Sequence, residues 1–133
     1  MKKPKILLAD DEEKFVKMAK MQIEAFGYEV ITACDGEKAI EKVKNESPAA
    51  VLLDIKMPKK DGIEVLREIR RFNKKLPVIM LTALKIKEPF AESKELGIGG
   101  YIIKTEDLAT QLKSSVRTIL KLSTKRRSKH GDK

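Results

Sequence analysis

Residues 51–62 read Val51-Leu52-Leu53-Asp54-Ile55-Lys56-Met57-Pro58-Lys59-Lys60-Asp61-Gly62. An apolar run from Ala49 to Leu53 stops at a single carboxylate, Asp54, and Met57-Pro58 and Asp61-Gly62 then turn the chain. Short apolar runs bounded by turn residues read as strands buried on both faces. Asp54 is thereby placed at the carboxyl end of a central strand, the edge where open α/β sheets bind ligands.

Working outward, the same punctuation recurs. Upstream, Lys5 to Ala9 is a short apolar strand that ends at Asp10-Asp11. Phe15, Met18, Ala19, Gln22, Ile23 and Phe26 follow at helical spacing, and Gly27 closes that helix. Glu29 to Ala33 is a second strand. A second helix opens at Asp35-Gly36-Glu37, turns Ala39, Ile40 and Val43 inward, and breaks at Ser47-Pro48. Downstream, Asp61 and Glu64 have the spacing of a capping box, so a helix starts near Gly62 with Val65, Leu66, Ile69 and Phe72 inward. Val78 to Leu81 is a fourth strand ending at Thr82-Ala83. Glu88-Pro89 starts a short helix that stops at Leu96-Gly97. Tyr101 to Ile103 is a fifth strand ending at Lys104, and a last helix spans about Asp107 to Leu122. Strands alternating with helices predict an α/β fold: a parallel sheet with helices on both faces.

The 133 residues are 41% hydrophobic and 37% charged, the balance of one globular domain. The expected division is a domain over residues 1–122 and a basic, irregular and flexible tail over 123–133. Of the net charge of +9, that tail carries +4. No apolar run approaches the ~20 residues of a membrane span. The start is too short in apolar residues for a signal peptide. Cys34 stands alone, so no internal disulfide forms, and Cys34 reads as a small filler beside the second strand. The expected location is cytoplasmic.

Four of the five strand ends carry polar groups that an apolar core would not select: Asp10-Asp11, Asp54, Thr82 and Lys104. A parallel sheet brings all four to one edge. Separately, an Asp there caps a helix, a Thr bonds backbone and a Lys is solvated; only their joint occurrence points to a site. Clustered carboxylates repel each other and call for a cation. Oxygen donors without His or Cys suit Mg2+ or Ca2+ rather than zinc, and Mg2+ best leaves room for water and a phosphoryl group. Lys104 and Thr82 offer donors to phosphoryl oxygens, and an Asp carboxylate can accept a phosphoryl group.

At these residues the sequence resembles the receiver domain of two-component response regulators, of the single-domain, chemotaxis-regulator-like kind, over residues 5 to about 122. Asp10-Asp11 matches the family's acidic pair and Asp54 its phosphoacceptor, with Met57-Pro58 and Asp61-Gly62 following. Thr82-Ala83 matches the switch hydroxyl and its small neighbour, Tyr101 the switch aromatic, and Lys104 the family's lysine. The resemblance implies a three-layer flavodoxin-like fold of five strands in the order 2-1-3-4-5. It implies that Asp11, Asp54 and the Lys56 backbone carbonyl bind Mg2+, with Mn2+ as a substitute and Asp10 acting through water. It further implies that Asp54 takes a phosphoryl group from a sensor histidine kinase or a phosphotransfer protein. Thr82, Ala83, Tyr101 and Lys104 then read out the change on the face of helix 4, strand 5 and helix 5. The expected partners are a downstream target protein and a second copy of the chain on phosphorylation. The implied role is a signalling domain, not a turnover enzyme. Two positions depart from the family pattern: Thr105 follows Lys104 where proline is usual, and Ile98 follows Gly97 where alanine is usual.

Two other functions compete. An aspartate-nucleophile phosphatase would want a general acid two residues beyond Asp54, and Lys56 occupies that place. A nucleic-acid-binding regulator would use Lys125, Arg126, Arg127, Lys129 and Lys133, but the tail has no aromatic residue for stacking. Neither nucleic acid nor membrane is an expected partner.

Overall fold

The computed structural model describes residues 3–83, 91–104 and 107–131. Among them, five strands alternate with five helices: β1 (Lys5–Ala9), α1 (Glu13–Ala25), β2 (Glu29–Ala33), α2 (Gly36–Glu46), β3 (Ala50–Asp54), α3 (Gly62–Phe72), β4 (Val78–Thr82), α4 (Ala91–Leu96), β5 (Gly100–Ile103) and α5 (Leu108–Gly131). All strand pairs are parallel, in the order β2-β1-β3-β4-β5. The doubly wound flavodoxin-like arrangement is therefore present as expected.

β3 and β4 are buried at every residue, as strands covered on both faces must be. Their side chains alternate between two cores. Leu52, Ile79 and Leu81 pack with Phe15, Ala19 and Ile23 of α1 and Leu108, Leu112 and Val116 of α5. Val51, Leu53, Val78 and Met80 pack with Ala39 and Val43 of α2 and Val65, Leu66 and Ile69 of α3. Each fully buried Leu or Ile contributes roughly 1.5–3 kcal/mol. The sheet order reverses between β1 and β3, and in open α/β sheets ligands bind outside the carboxyl ends of the strands at such a switch point.

Local chemistry sets the helix ends. Asp35 caps α2 by accepting the Lys38 N–H. Asp61 and Glu64 form the expected reciprocal box at α3. Gly62 is required by close approach: a Cβ there would lie 2.3 Å from the Asp54 carbonyl oxygen and 2.9 Å from Ile55 Cα. Both are backbone atoms and cannot move aside alone. Gly62→Ala should therefore shift the 55–61 loop and lower stability by about 2 kcal/mol or more, measured by urea denaturation.

Several expectations are corrected. Phe72, expected inward, is 45% exposed with Lys44 Nζ 5.2 Å from its ring centroid. Met18 is 43% exposed, because the buried stripe of α1 narrows to Phe15, Ala19 and Ile23. Cys34 is exposed rather than a filler. The last helix does not stop at Leu122 but continues to Gly131 through the basic segment. Lys and Arg are good helix formers, and no Gly or Pro interrupts residues 123–130. The Glu88-Pro89 helix start and the Lys104-Thr105 bond lie outside the described residues. Ile98 packs, partly buried, against the α2–α3 core.

Candidate functional site

Asp54 is the last residue of β3, one position further inside the strand than expected, and is 6% exposed. Asp10 follows β1 and is 1% exposed. Its N–H donates to Ala33 O, and its Oδ1 accepts the Glu12 N–H at 2.9 Å. That turn brings Glu12 to the start of α1, where its side chain makes no capping bond. It reaches Lys104 instead.

Lys104 enters from the end of β5, on the far side of β4. Its N–H donates to Thr82 O at 2.8 Å, which holds the strand ends in register. Its Nζ lies 2.6 Å from Asp10 Oδ2, 2.6 Å from Glu12 Oε1 and 3.4 Å from Asp54 Oδ2. It also sits 4.6 Å from the centroid of the Phe15 ring. Asp10, Glu12 and Asp54 each present an oxygen within 4.8 Å of the others.

The charges are unbalanced, and the protonation equilibria record it. Burial raises the Asp54 carboxyl from its ordinary 3.8, and the Asp10 charge adds to this. Lys104 and the Lys56 N–H pull back, leaving Asp54 at about 6. Desolvation lowers the Lys104 ammonium, but its bonds to Asp10 and Glu12 and the fields of Asp10 and Asp54 outweigh it, so the net shift is upward.

The structure thus gathers Asp10, Asp54 and Lys104, with Thr82 buried at the adjoining strand end. Asp11 and Ala83 are exposed, and Asp11 is outside the three-carboxylate group. The Lys56 side chain is also exposed, while its backbone N–H bonds Asp54. Tyr101 is half-buried on β5, and its hydroxyl shares a 2.6 Å hydrogen bond with Ser93 of α4. Glu12 was not foreseen. The signal available was a third carboxylate in the same turn after β1, but its direction depends on the turn itself.

A family model for the response regulator receiver domain matches residues 6–117. The chain belongs to that family. Receiver domains are signalling domains rather than turnover enzymes, and phosphorelay is their general function. This receiver is 39% identical over 119 residues to the alkaline phosphatase synthesis transcriptional regulatory protein PhoP of Bacillus subtilis, covering 90% of this chain and 49% of the relative. It is 39% identical over 127 residues to a probable transcriptional regulator, ycf27, of Porphyridium aerugineum, covering 93% and 52%. The chain spans about half the length of the curated relatives it matches. Among solved structures it resembles a CheY-like receiver domain protein from Methanospirillum hungatei, with a TM-score of 0.86, 27% identity, and 93% and 98% of the two chains covered. Among the described residues, no helix is long and apolar enough to cross a membrane.

Proposed function

We propose that residues 1–122 form a receiver that accepts a phosphoryl group on Asp54, in a Mg2+-dependent step, from the phosphohistidine of a sensor histidine kinase or a phosphotransfer protein. One observation carries this reading: a buried carboxylate at a strand end shares an ammonium with two further carboxylates. The donors are all oxygens, which fits Mg2+ or Mn2+. Asp54, the exposed Asp11 and the Lys56 carbonyl would hold the ion, with Asp10 behind them. When bound, the ion supplies positive charge to the carboxylates and to the phosphoryl oxygens.

The chain's own residues do the remainder. At pH 7 an Asp54 pKa of about 6 leaves the carboxylate ionised and nucleophilic. Its oxygen attacks phosphorus, and the phosphorus–nitrogen bond breaks. The electron pair stays on the imidazole nitrogen, which is then protonated. Lys104 gives its ammonium to the new phosphoryl oxygens, and the Thr82 hydroxyl and the backbone at Ala83 complete the contact. Tyr101 then carries the change to the face of α4, β5 and α5, which meets a downstream protein or a second copy. The setting is the cytoplasm, where histidine kinases present their phosphohistidine.

Mass spectrometry tests this directly. Incubated with Mg2+ and a small acyl phosphate, the chain should gain one phosphoryl group, mapped to Asp54 after borohydride trapping. No gain, or a gain elsewhere, would overturn the assignment. The metal ligands have their own test. Asp11→Asn should weaken Mg2+ binding by about tenfold or more in calorimetry, a ligand-scale effect, and Glu12→Gln only slightly. The opposite order would make Glu12 the ligand and Asp11 a bystander.

A further inference from the structure

At the opposite end of α3 lies a groove of about 600 Å³ between α3 and α4, lined by Arg67, Arg70, Arg71, Lys74, Glu95 and Leu96. Among the described lining residues, the cations Arg70, Arg71 and Lys74 adjoin Arg67, which has a partner of its own, and the one carboxylate is Glu95. Arg70 is fixed there by three carbonyls: Nε donates to Leu96 O at 2.7 Å, and the two terminal nitrogens to Gly97 O at 2.7 Å and Asn73 O at 3.0 Å. These bonds hold the guanidinium rigidly but cancel none of its net charge. Among the described residues, no carboxylate pairs with Arg70, Arg71 or Lys74. Arg71 and Lys74 are exposed.

We propose that this groove is a docking site for an acidic segment of a partner protein. Arginine forks pair with carboxylates two bonds at a time, and a pre-fixed guanidinium loses little side-chain entropy on binding. The exposed cations steer an acidic segment to the groove. Glu95 and the half-buried Leu96 argue against a nucleic-acid backbone. A carboxylate in the path repels a phosphodiester chain, whereas a mixed peptide can place a basic or apolar side chain beside it. The groove also touches the output face. Arg70 grips the C-terminal carbonyls of α4, the helix whose Ser93 holds the Tyr101 hydroxyl. A segment bound here contacts the same arginine that anchors α4.

The probe is a fluorescein-labelled peptide of glutamate and aspartate, titrated with the full chain and read by anisotropy. Binding should weaken as salt rises, and amide shifts in NMR should map to residues 67–74 and 95–99. Arg71→Glu with Lys74→Glu should weaken binding by about tenfold or more, while Lys125→Glu with Arg126→Glu should leave it within about twofold. The neutral pair Arg71→Gln with Lys74→Gln should show a smaller loss, and it keeps the test valid if charge reversal disturbs α3. Three results would overturn the proposal: no binding to the native chain, undiminished binding to both groove variants, or tighter binding of double-stranded DNA at the same residues.

Discussion

Asp54→Asn should abolish phosphoryl acceptance and at the same time stabilise the metal-free protein. The first effect is a loss of the acceptor oxygen and its charge, so no phosphoryl mass should appear under conditions that fully modify the native chain. The second follows from the protonation equilibrium. A carboxyl held at about 6 against an ordinary 3.8 is disfavoured in its charged form by the folded state. At about 1.4 kcal/mol per pH unit, removing that charge is worth about 2–3 kcal/mol at pH 7. For a chain of this size the melting temperature should rise by roughly 5–10 °C. The sign with pH is specific. Below about 4 the carboxyl is protonated in both folded and unfolded chains, and the variant gains nothing from this cause. Between about 4 and 6 the folded state keeps a proton that the unfolded state releases, so native stability falls as pH rises. Above about 6 the advantage of Asn is constant. Melting curves of both proteins in EDTA from pH 4 to 8 measure it. An Asn variant less stable than the native chain at pH 7 would mean that Lys104 over-compensates the Asp10–Asp54 repulsion.

Lys104→Ala should do the reverse to stability and also damage the chemistry. The ammonium and the Asp10 carboxylate it touches are almost fully buried, at 7% and 0% side-chain exposure. Breaking a buried pair by removing one partner leaves an uncompensated charge, which costs about 3 kcal/mol or more. The Glu12 arm adds little, since that carboxylate is 61% exposed and water replaces the lost contact. The raised Lys104 pKa gives the same sign: its contribution is complete below 10.5 and lost only as pH rises through the higher folded value. Urea denaturation at pH 7 should show the loss. Millimolar Mg2+ should restore part of it by returning positive charge to the carboxylates. The double variant Asp54→Asn with Lys104→Ala should be more stable than Lys104→Ala alone, because it keeps one fewer unpaired carboxylate. Simple additivity of the two single effects would show that Asp54 and Lys104 do not interact.

The two variants share a backbone that was largely legible in the chain. The apolar runs before Asp10, Asp54 and Thr82 are local patterns, and strands covered on both faces are written as continuous apolar runs. The capping box at Asp61 and Glu64 is also local, because both bonds span three residues. From these, the parallel sheet and the edge that bears the site follow. Asp10, Asp54 and Lys104 were identifiable because each interrupts an apolar run at its end.

Tertiary structure decided the rest. Which acid of Asp10-Asp11-Glu12 turns inward depends on the Asp10 Oδ1 bond to the Glu12 N–H, a turn conformation that composition does not specify. Phe72 follows the helical period inward, yet α3 carries it past the core to lie against Lys44 of α2. Arg70 reads as one more surface cation on a helix, but the neighbouring helix end supplies the carbonyls that hold it. Ser93 and Tyr101 are eight residues apart and joined only because β5 returns beside α4. The sequence alone therefore determined which strand ends carry charge, since burial of apolar runs is a short-range pattern. Only the fold decided which of those charges meet, since a contact across 94 residues, as between Asp10 and Lys104, depends on the path of every element between them.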